Sequence, residues 1–179
     1  MIVYLSLGAN LGNREETINK AVELLSEHVG PLIKRSSFFY SRPWGFDSPN
    51  DFCNLCASFE TALSPLSLLQ ATQSIERQLG RTTKSHSAAV APPTAQRSHS
   101  EAVSQRNGLT SSSEAVYSDR PIDIDILLVF DDAGKELNIN CQLSTVNYLI
   151  IPHPLMQKRD FVMHPLQEIA PDLPIFSKK

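Results

Sequence analysis

An α+β fold is predicted by three features of this sequence: short apolar stretches alternating with period two, two longer stretches with apolar residues at helical spacing, and their order along the chain. Taken in order they read strand, helix, strand, strand, helix, strand. That βαββαβ order is the ferredoxin-like arrangement, in which an antiparallel sheet carries its helices on one face. From about residue 150 onward, Pro-bounded short elements form a C-terminal extension of the core.

The first strand is expected at residues 2–7, followed by the turn-forming GANLGN and a helix presenting Ile18, Ala21, Val22 and Leu25 at helical spacing. Asn13 is placed to cap that helix, with Glu16 in its first turn. Residues 32–41 and 52–62 read as strands, joined by the loop SRPWGFDSPND. A second helix begins at Ser64 and Pro65, as cap and first helical residue. It turns Leu68, Thr72, Ile75 and Leu79 inward and ends at Gly80. The last strand of the core is DIDILLVF. Between Lys84 and Tyr117 the chain is rich in Ser, Ala and Pro with no period long enough to bury a face, so residues 85–116 read as a flexible insertion.

At 179 residues with 41% hydrophobic content, the chain suits a single domain, 1–179, with a sizeable core. A formal net charge of -3 opposes broad electrostatic binding of nucleic acid and points to a small partner. The segment MIVYLSLGAN lacks a basic leader or cleavage pattern, and no stretch approaches the ~20 apolar residues that span a bilayer. No membrane association and a cytoplasmic location are expected. Three cysteines cannot all pair, and Cys53 and Cys56 fall on opposite faces of a strand, so neither a disulfide nor a redox or zinc site is expected.

In DRPIDIDILLVF, alternation sends Ile122, Ile124, Ile126 and Leu128 to one face and Asp123, Asp125, Leu127 and Val129 to the other. Two carboxylates thus share a face of a strand that is otherwise apolar. Ionised there, they require cationic partners. With Arg120 just upstream, carboxylates at i and i+2 suit magnesium whose other ligands are phosphate oxygens.

A second constellation lies in DFCNLCASFE, where Cys53, Leu55, Ala57 and Phe59 build core while Phe52, Asn54, Cys56, Ser58 and Glu60 face the other way. A ring two residues from a carboxamide can stack a flat heterocycle while the amide reads its polar edge; equally, Phe52 can cap the core and Asn54 bond backbone. Basic residues flank the acids: Arg81, Lys84, Arg120, His153, Lys158 and Arg159. Converging at one end of the sheet, they would suit a triphosphate. No glycine-rich phosphate loop of the GxxxxGK[ST] type is present.

YLSLGANLG, RPWGF, DFCN, QSIERQLGR, DRPIDIDIL and IPHPLMQKRDFVMHPLQEIAPDL together resemble the 6-hydroxymethyl-7,8-dihydropterin pyrophosphokinase family, over residues 1–84 and about 117–176. The resemblance implies Mg2+-dependent transfer of the diphosphate of ATP to 6-hydroxymethyl-7,8-dihydropterin, giving AMP and the pterin diphosphate, in tetrahydrofolate biosynthesis. It implies two magnesium ions on Asp123 and Asp125. Phe52 and Phe161 would sandwich the pterin, with Asn54 reading its edge and Ser41 and Trp44 completing the pocket. Gln73, Glu76, Arg81, Lys84, Arg120, Ile126, His153 and Arg159 would surround ATP, with Arg81 and Arg120 steadying the transferring group. The insertion departs from the family's short basic or aromatic loop. A monomer is expected.

Two other readings compete. A degenerate family member would bind pterin or ATP with little turnover, and a ferredoxin-like ligand- or RNA-binding module would use these charges as surface salt bridges.

Overall fold

The computed structural model describes residues 1–82, 118–142 and 148–177. Lys84 and the expected insertion, 85–116, lie outside the described residues.

Period-two apolar spacing makes β1 (Ile2–Ala9) the centre of the sheet, with Val3, Leu5, Leu7 and Ala9 fully buried. It leads into α1 (Arg14–His28), whose cap is the predicted one: the Asn13 side chain accepts from the Glu16 N–H at 3.4 Å. The predicted single strand at 32–41 is instead two, β2 (Leu32–Arg35) and β3 (Phe39–Ser41). Ser36 makes the break. Its N–H donates to the Cys56 carbonyl at 2.9 Å and its hydroxyl accepts from the Cys56 N–H at 3.0 Å, so a side chain replaces one rung of the ladder. Both short strands pair with β4 (Phe52–Glu60). Helix α2 (Pro65–Gln78) begins as predicted, with the Ser64 hydroxyl accepting from Ser67 N–H at 3.2 Å, and Gly80 follows it at φ +92°.

The edge strand beside β1 is β5 (Asp123–Phe130), giving the order β2-β4-β1-β5, all antiparallel. This is the ferredoxin-like order. A second, two-stranded sheet is absent from the sequence reading: β6 (Ile139–Gln142) pairs antiparallel with β7 (Tyr148–Ile151). The chain closes with α3 (Asp160–Ile169) between two single 3-10 turns at Met156–Lys158 and Pro174–Phe176.

Helices α1 and α2 pack on one face, as expected, where Ile18, Leu25, Leu68 and Ile75 meet Leu5, Leu7, Leu55, Phe59 and Ile124. On the opposite face α3 seals a second apolar cluster of Cys56, Leu127, Leu128, Val162 and Leu166, a ten-residue helix where only short elements were expected. Cys53 and Cys56 separate onto the two faces and both are free thiols. Among the described residues no helix is long and apolar enough to cross a membrane.

One alternation in β5 fails. Leu5 pairs with Ile126 and Tyr4 with Leu128, leaving Leu127 as the extra residue of a β-bulge. Past that point the faces exchange: Val129 joins Ile122, Ile124 and Ile126 on the α1/α2 side, and Leu128 goes with Leu127 to α3. The predicted sides of Leu128 and Val129 are therefore reversed.

Candidate active site

Register with β1 builds the site. Gly8 lies opposite Asn54 on one side and Asp123 on the other, and Ser6 opposite Cys56 and Asp125. The face of β1 turned away from α1 and α2 thus offers two small residues with the amide and the carboxylates flanking them. A cleft opens there, about 460 Å³ with the solvent at its mouth included. Its walls bring together Ser41, Trp44, Phe52, Asn54, Arg120, Asp123, Asp125, Arg159 and Phe161, nine of the residues singled out in the sequence.

Asn54 is buried and held in one orientation: its Nδ2 donates to the Phe39 carbonyl and to the Ser41 hydroxyl, each at 3.0 Å. With both amide protons in use, Oδ1 is the atom left to accept from a ligand. It lies over Gly8, where an added Cβ would sit 3.0 Å from it and 3.7 Å from Phe52 Cδ1. Glycine therefore keeps the floor clear under both the amide and the ring.

The cations that the two half-buried acids require are all present. Arg120 Nη2 lies 3.2 Å from Asp123 Oδ2, Arg159 Nη1 lies 3.5 Å from Asp125 Oδ2, and Arg81 pairs with Asp123 directly. Arg81 is itself buried against Glu76 at 2.8 Å, and Glu76 also accepts from the Ile124 N–H at 2.8 Å. Burial alone would lower the Arg81 guanidinium's pKa, but Asp123 and then Glu76 outweigh it and raise it. Three guanidiniums thus face three carboxylates. The arginines also cover the rings: Arg120 lies 5.1 Å from the Phe52 centroid, and Arg159 lies 4.9 Å from Trp44 and 5.8 Å from Phe161.

Other candidates stand apart from the cleft wall. Glu76 points into the core, and with Arg81 it backs the carboxylates from behind. Gln73 is half-buried on α2, and Ile126 turns into the α1/α2 core. His153 donates its N–H to the Leu127 carbonyl at 2.9 Å, while its Nδ1 accepts from Leu155 N–H at 3.2 Å.

The sequence reading missed Ser6, Gly8, Arg42 and Phe46, which also line the cleft. Ser6 and Gly8 had a readable signal, since they are the small residues at i and i+2 in an otherwise apolar strand. Arg42 and Phe46 belong to RPWGF, a loop without a period to mark which of its side chains enter the cleft. Also missed was a polar knot at the cleft's edge. Asp119 accepts from Asn10 Nδ2 at 2.6 Å and from Asn50 Nδ2 at 2.9 Å, while Asn10 Oδ1 accepts from the Arg120 N–H at 2.8 Å. Hydrogen bonds from Ser48, Asn10 and Asn50, with Arg120 nearby, hold the Asp119 carboxyl below its ordinary range.

The chain is similar to proteins of one family. The family model described as 7,8-dihydro-6-hydroxymethylpterin-pyrophosphokinase (HPPK) matches residues 4–94 and 90–171. A 2-amino-4-hydroxy-6-hydroxymethyldihydropteridine pyrophosphokinase of Porphyromonas gingivalis is 39% identical over 172 residues, covering 95% of this chain and 91% of the relative. The enzyme of that name from Aquifex aeolicus is 32% identical over 178 residues, covering 98% and 86%. A crystal structure of HPPK-DHPS in complex with substrates superposes with a TM-score of 0.56 at 15% identity, over 95% of this chain and 40% of that one, which speaks for the fold alone. With its family model matched across both halves and relatives above 30% identity along nearly its whole length, the chain belongs to the 7,8-dihydro-6-hydroxymethylpterin-pyrophosphokinase family.

Proposed function

We propose that this chain transfers the β,γ-diphosphate of ATP to the hydroxymethyl group of 6-hydroxymethyl-7,8-dihydropterin, releasing AMP and the pterin diphosphate, as a step of tetrahydrofolate biosynthesis. The observation that carries the reading is adjacency. A ring-and-amide pocket made by Phe52, Phe161 and Asn54 opens onto the same cleft as Asp123 and Asp125, so an acceptor stacked on the rings lies beside the place where phosphates gather.

In this reading the pterin lies between Phe52 and Phe161, with Asn54 Oδ1 accepting from its N–H edge and Ser41 and Trp44 closing the pocket. The acceptor oxygen attacks the β-phosphorus, the bond from that phosphorus to the α-phosphate's bridging oxygen breaks, AMP leaves with the electron pair, and the hydroxyl proton passes to solvent. Arg120 and Arg159 exchange their carboxylates for phosphate oxygens, which uncovers the aromatic rings for the pterin. Arg81, held by Glu76, steadies the transferring group from behind Asp123. Gln73, Ile126 and His153 are assigned to the nucleotide, with Lys84 joining from beyond the described residues.

Magnesium fits the donors present. Asp123 and Asp125 offer hard carboxylate oxygens, and among the described residues no group of three or more His, Cys, Asp or Glu forms a full cage, so phosphate and water would complete the coordination. Two ions held by Asp123 and Asp125 would neutralise phosphate charge as it shifts towards the leaving oxygen.

We assign this activity to a monomeric, single-domain cytoplasmic protein, 1–179, with the insertion at 85–116. The RNA-binding alternative loses support because α3 covers much of the sheet face on which such modules stack bases. Purified protein incubated with magnesium, ATP and the hydroxymethyldihydropterin should yield AMP and pterin diphosphate in equal amounts, resolved by chromatography, and only in the complete mixture. ADP in place of AMP rejects the diphosphate transfer. No conversion by folded protein that still binds ligand identifies the degenerate member.

A further inference from the structure

The geometry points to Asp119 as a positioning residue whose carboxylate ties three separate segments into the cleft's rim and thereby aims Arg120. This deepens the reading above and rests on it for its kinetic consequences, though not for its structural ones.

The observations are local and connected. Asp119 Oδ1 accepts from Asn10 on the turn between β1 and α1, and its Oδ2 accepts from Asn50 at the end of the loop that carries Trp44 and Phe46. Asn50's own N–H donates to the Ser48 hydroxyl at 3.1 Å, drawing that loop inward. Asn10, itself buried, exchanges two further bonds with the backbone of Arg120: Oδ1 accepts from the Arg120 N–H, and the Asn10 N–H donates to the Arg120 carbonyl at 3.2 Å. The backbone of Arg120 is therefore fixed on both sides before its side chain reaches Asp123 and Phe52. These contacts join residues 109 and 69 positions apart in sequence, so they close long loops rather than stabilise local turns.

A carboxylate suits this role in a way that an amide does not. It accepts from two amide donors at once, one per oxygen, whereas asparagine at 119 would turn an N–H2 towards one of them. Asp119 touches no ring or metal-ligating carboxylate of the cleft in the contacts described; it acts through Asn10, Asn50 and the Arg120 backbone.

Exchanging the two side chains supplies the test. Asp119→Asn alone leaves one amide donor facing another, and Asn10→Asp alone sets two carboxylates against each other. The double variant N10D/D119N restores the bonds that join residues 10, 50, 119 and 120 through these side chains: position 10 again accepts from Arg120 N–H, the new amide at 119 donates to it, and the carbonyl at 119 accepts from Asn50. The 3.4 Å contact from Asn10 Nδ2 to the Asn50 carbonyl is lost. Trp44, the single tryptophan of the chain, lies in the tethered loop and reports on it without ligand.

Each single variant should increase acrylamide quenching of Trp44 in ligand-free, folded protein and lower kcat/KM for the pterin by roughly tenfold. KM for the pterin should rise with the loosened loop and kcat fall with the misaimed Arg120. The double variant should recover most of both effects, a coupling that a merely local loss of stability does not produce. Quenching and kinetics like wild type in the single variants, or a double variant no better than the worse single, would overturn the proposal. If wild-type protein forms no AMP, the proposed activity fails while the quenching cycle still decides the role of Asp119. Should Asn10→Asp not fold alone, rescue of folding by the second change is itself the expected coupling, and its absence counts against it.

Discussion

The two faces of one sheet are built by different rules. On the α1/α2 side, β1, β4 and β5 present apolar residues without interruption, and Leu5, Leu7, Leu55, Phe59 and Ile124 close against the helices. On the other side the same strands carry Ser6, Gly8, Asn54, Asp123 and Asp125 at one end and only regain apolar character where α3 lies over Cys56, Leu127 and Leu128. Each strand therefore serves packing with its odd positions and chemistry with its even ones, or the reverse. The site is made by omission: side chains that would have filled the floor are replaced by a serine and a glycine, and the walls then supply the functional groups.

That contrast can be broken most severely at Asp125. Asp125→Ala should lower turnover by about a thousandfold or more, because it removes a candidate metal ligand. Its melting temperature should shift far less than its turnover, since Asp125 is itself partly exposed and Arg159 keeps its packing on Trp44 and Phe161. Steady-state AMP formation beside a thermal melt measures both, and near-normal turnover would remove the metal assignment. The mirror experiment is Leu5→Ala on the packed face. Full burial of Leu5 predicts a loss of about 2–5 kcal/mol in denaturant unfolding, with pterin affinity in the folded protein close to wild type.

A smaller and more selective effect is expected at the floor. Gly8→Ala would bring a methyl group against Asn54 Oδ1 and Phe52, and should weaken pterin binding by roughly tenfold while leaving nucleotide binding nearly unchanged, as calorimetry with each ligand would show. Equal weakening of both ligands would mean that the two subsites are not separated at Gly8. The smallest effect concerns the buried thiols, one on each face. Burial pushes Cys53 from 9.0 up to about 11 and raises Cys56 as well, so both are protonated in the folded protein. Their contribution to stability is complete below pH 9 and declines as pH rises from there through the folded values. Unfolding midpoints followed from pH 8 to 11 should drift downward, and thiol alkylation of the native protein at pH 8 should label the exposed Cys141 alone.

Much of this architecture is legible in the sequence because local chemistry and global fold agree. Asn13 and Ser64 announce their helices, and D-x-D in an apolar strand requires the arginines that the fold delivers. What escaped the sequence has physical reasons. Leu127, Leu128 and Val129 are all apolar, so nothing in their chemistry marks where the bulge reverses the faces. Ser36 divides a strand through a bond to Cys56, twenty residues away, that no local pattern encodes. Pro165 sits inside α3 and reads as a breaker, though the helix continues through it. Glu76 is a charged residue that spacing alone gives no reason to bury, and its partners, Arg81 and the Ile124 N–H, lie inside. The Asp119 knot joins residues more than a hundred positions apart, beyond the reach of any window.

The bulge at Leu127 has a mechanical meaning for the carboxylates. It divides β5 into two lengths whose pairing with β1 is set separately, Asp123 to Ile126 on one side and Leu128 to Phe130 on the other. An error of register at the far end of the strand, where side chains are interchangeable aliphatics, stops at the extra residue and is not transmitted to the acids. The bulge thus works as an expansion joint, letting the sheet adjust under α3 while Asp123 stays level with Gly8 and Asp125 with Ser6.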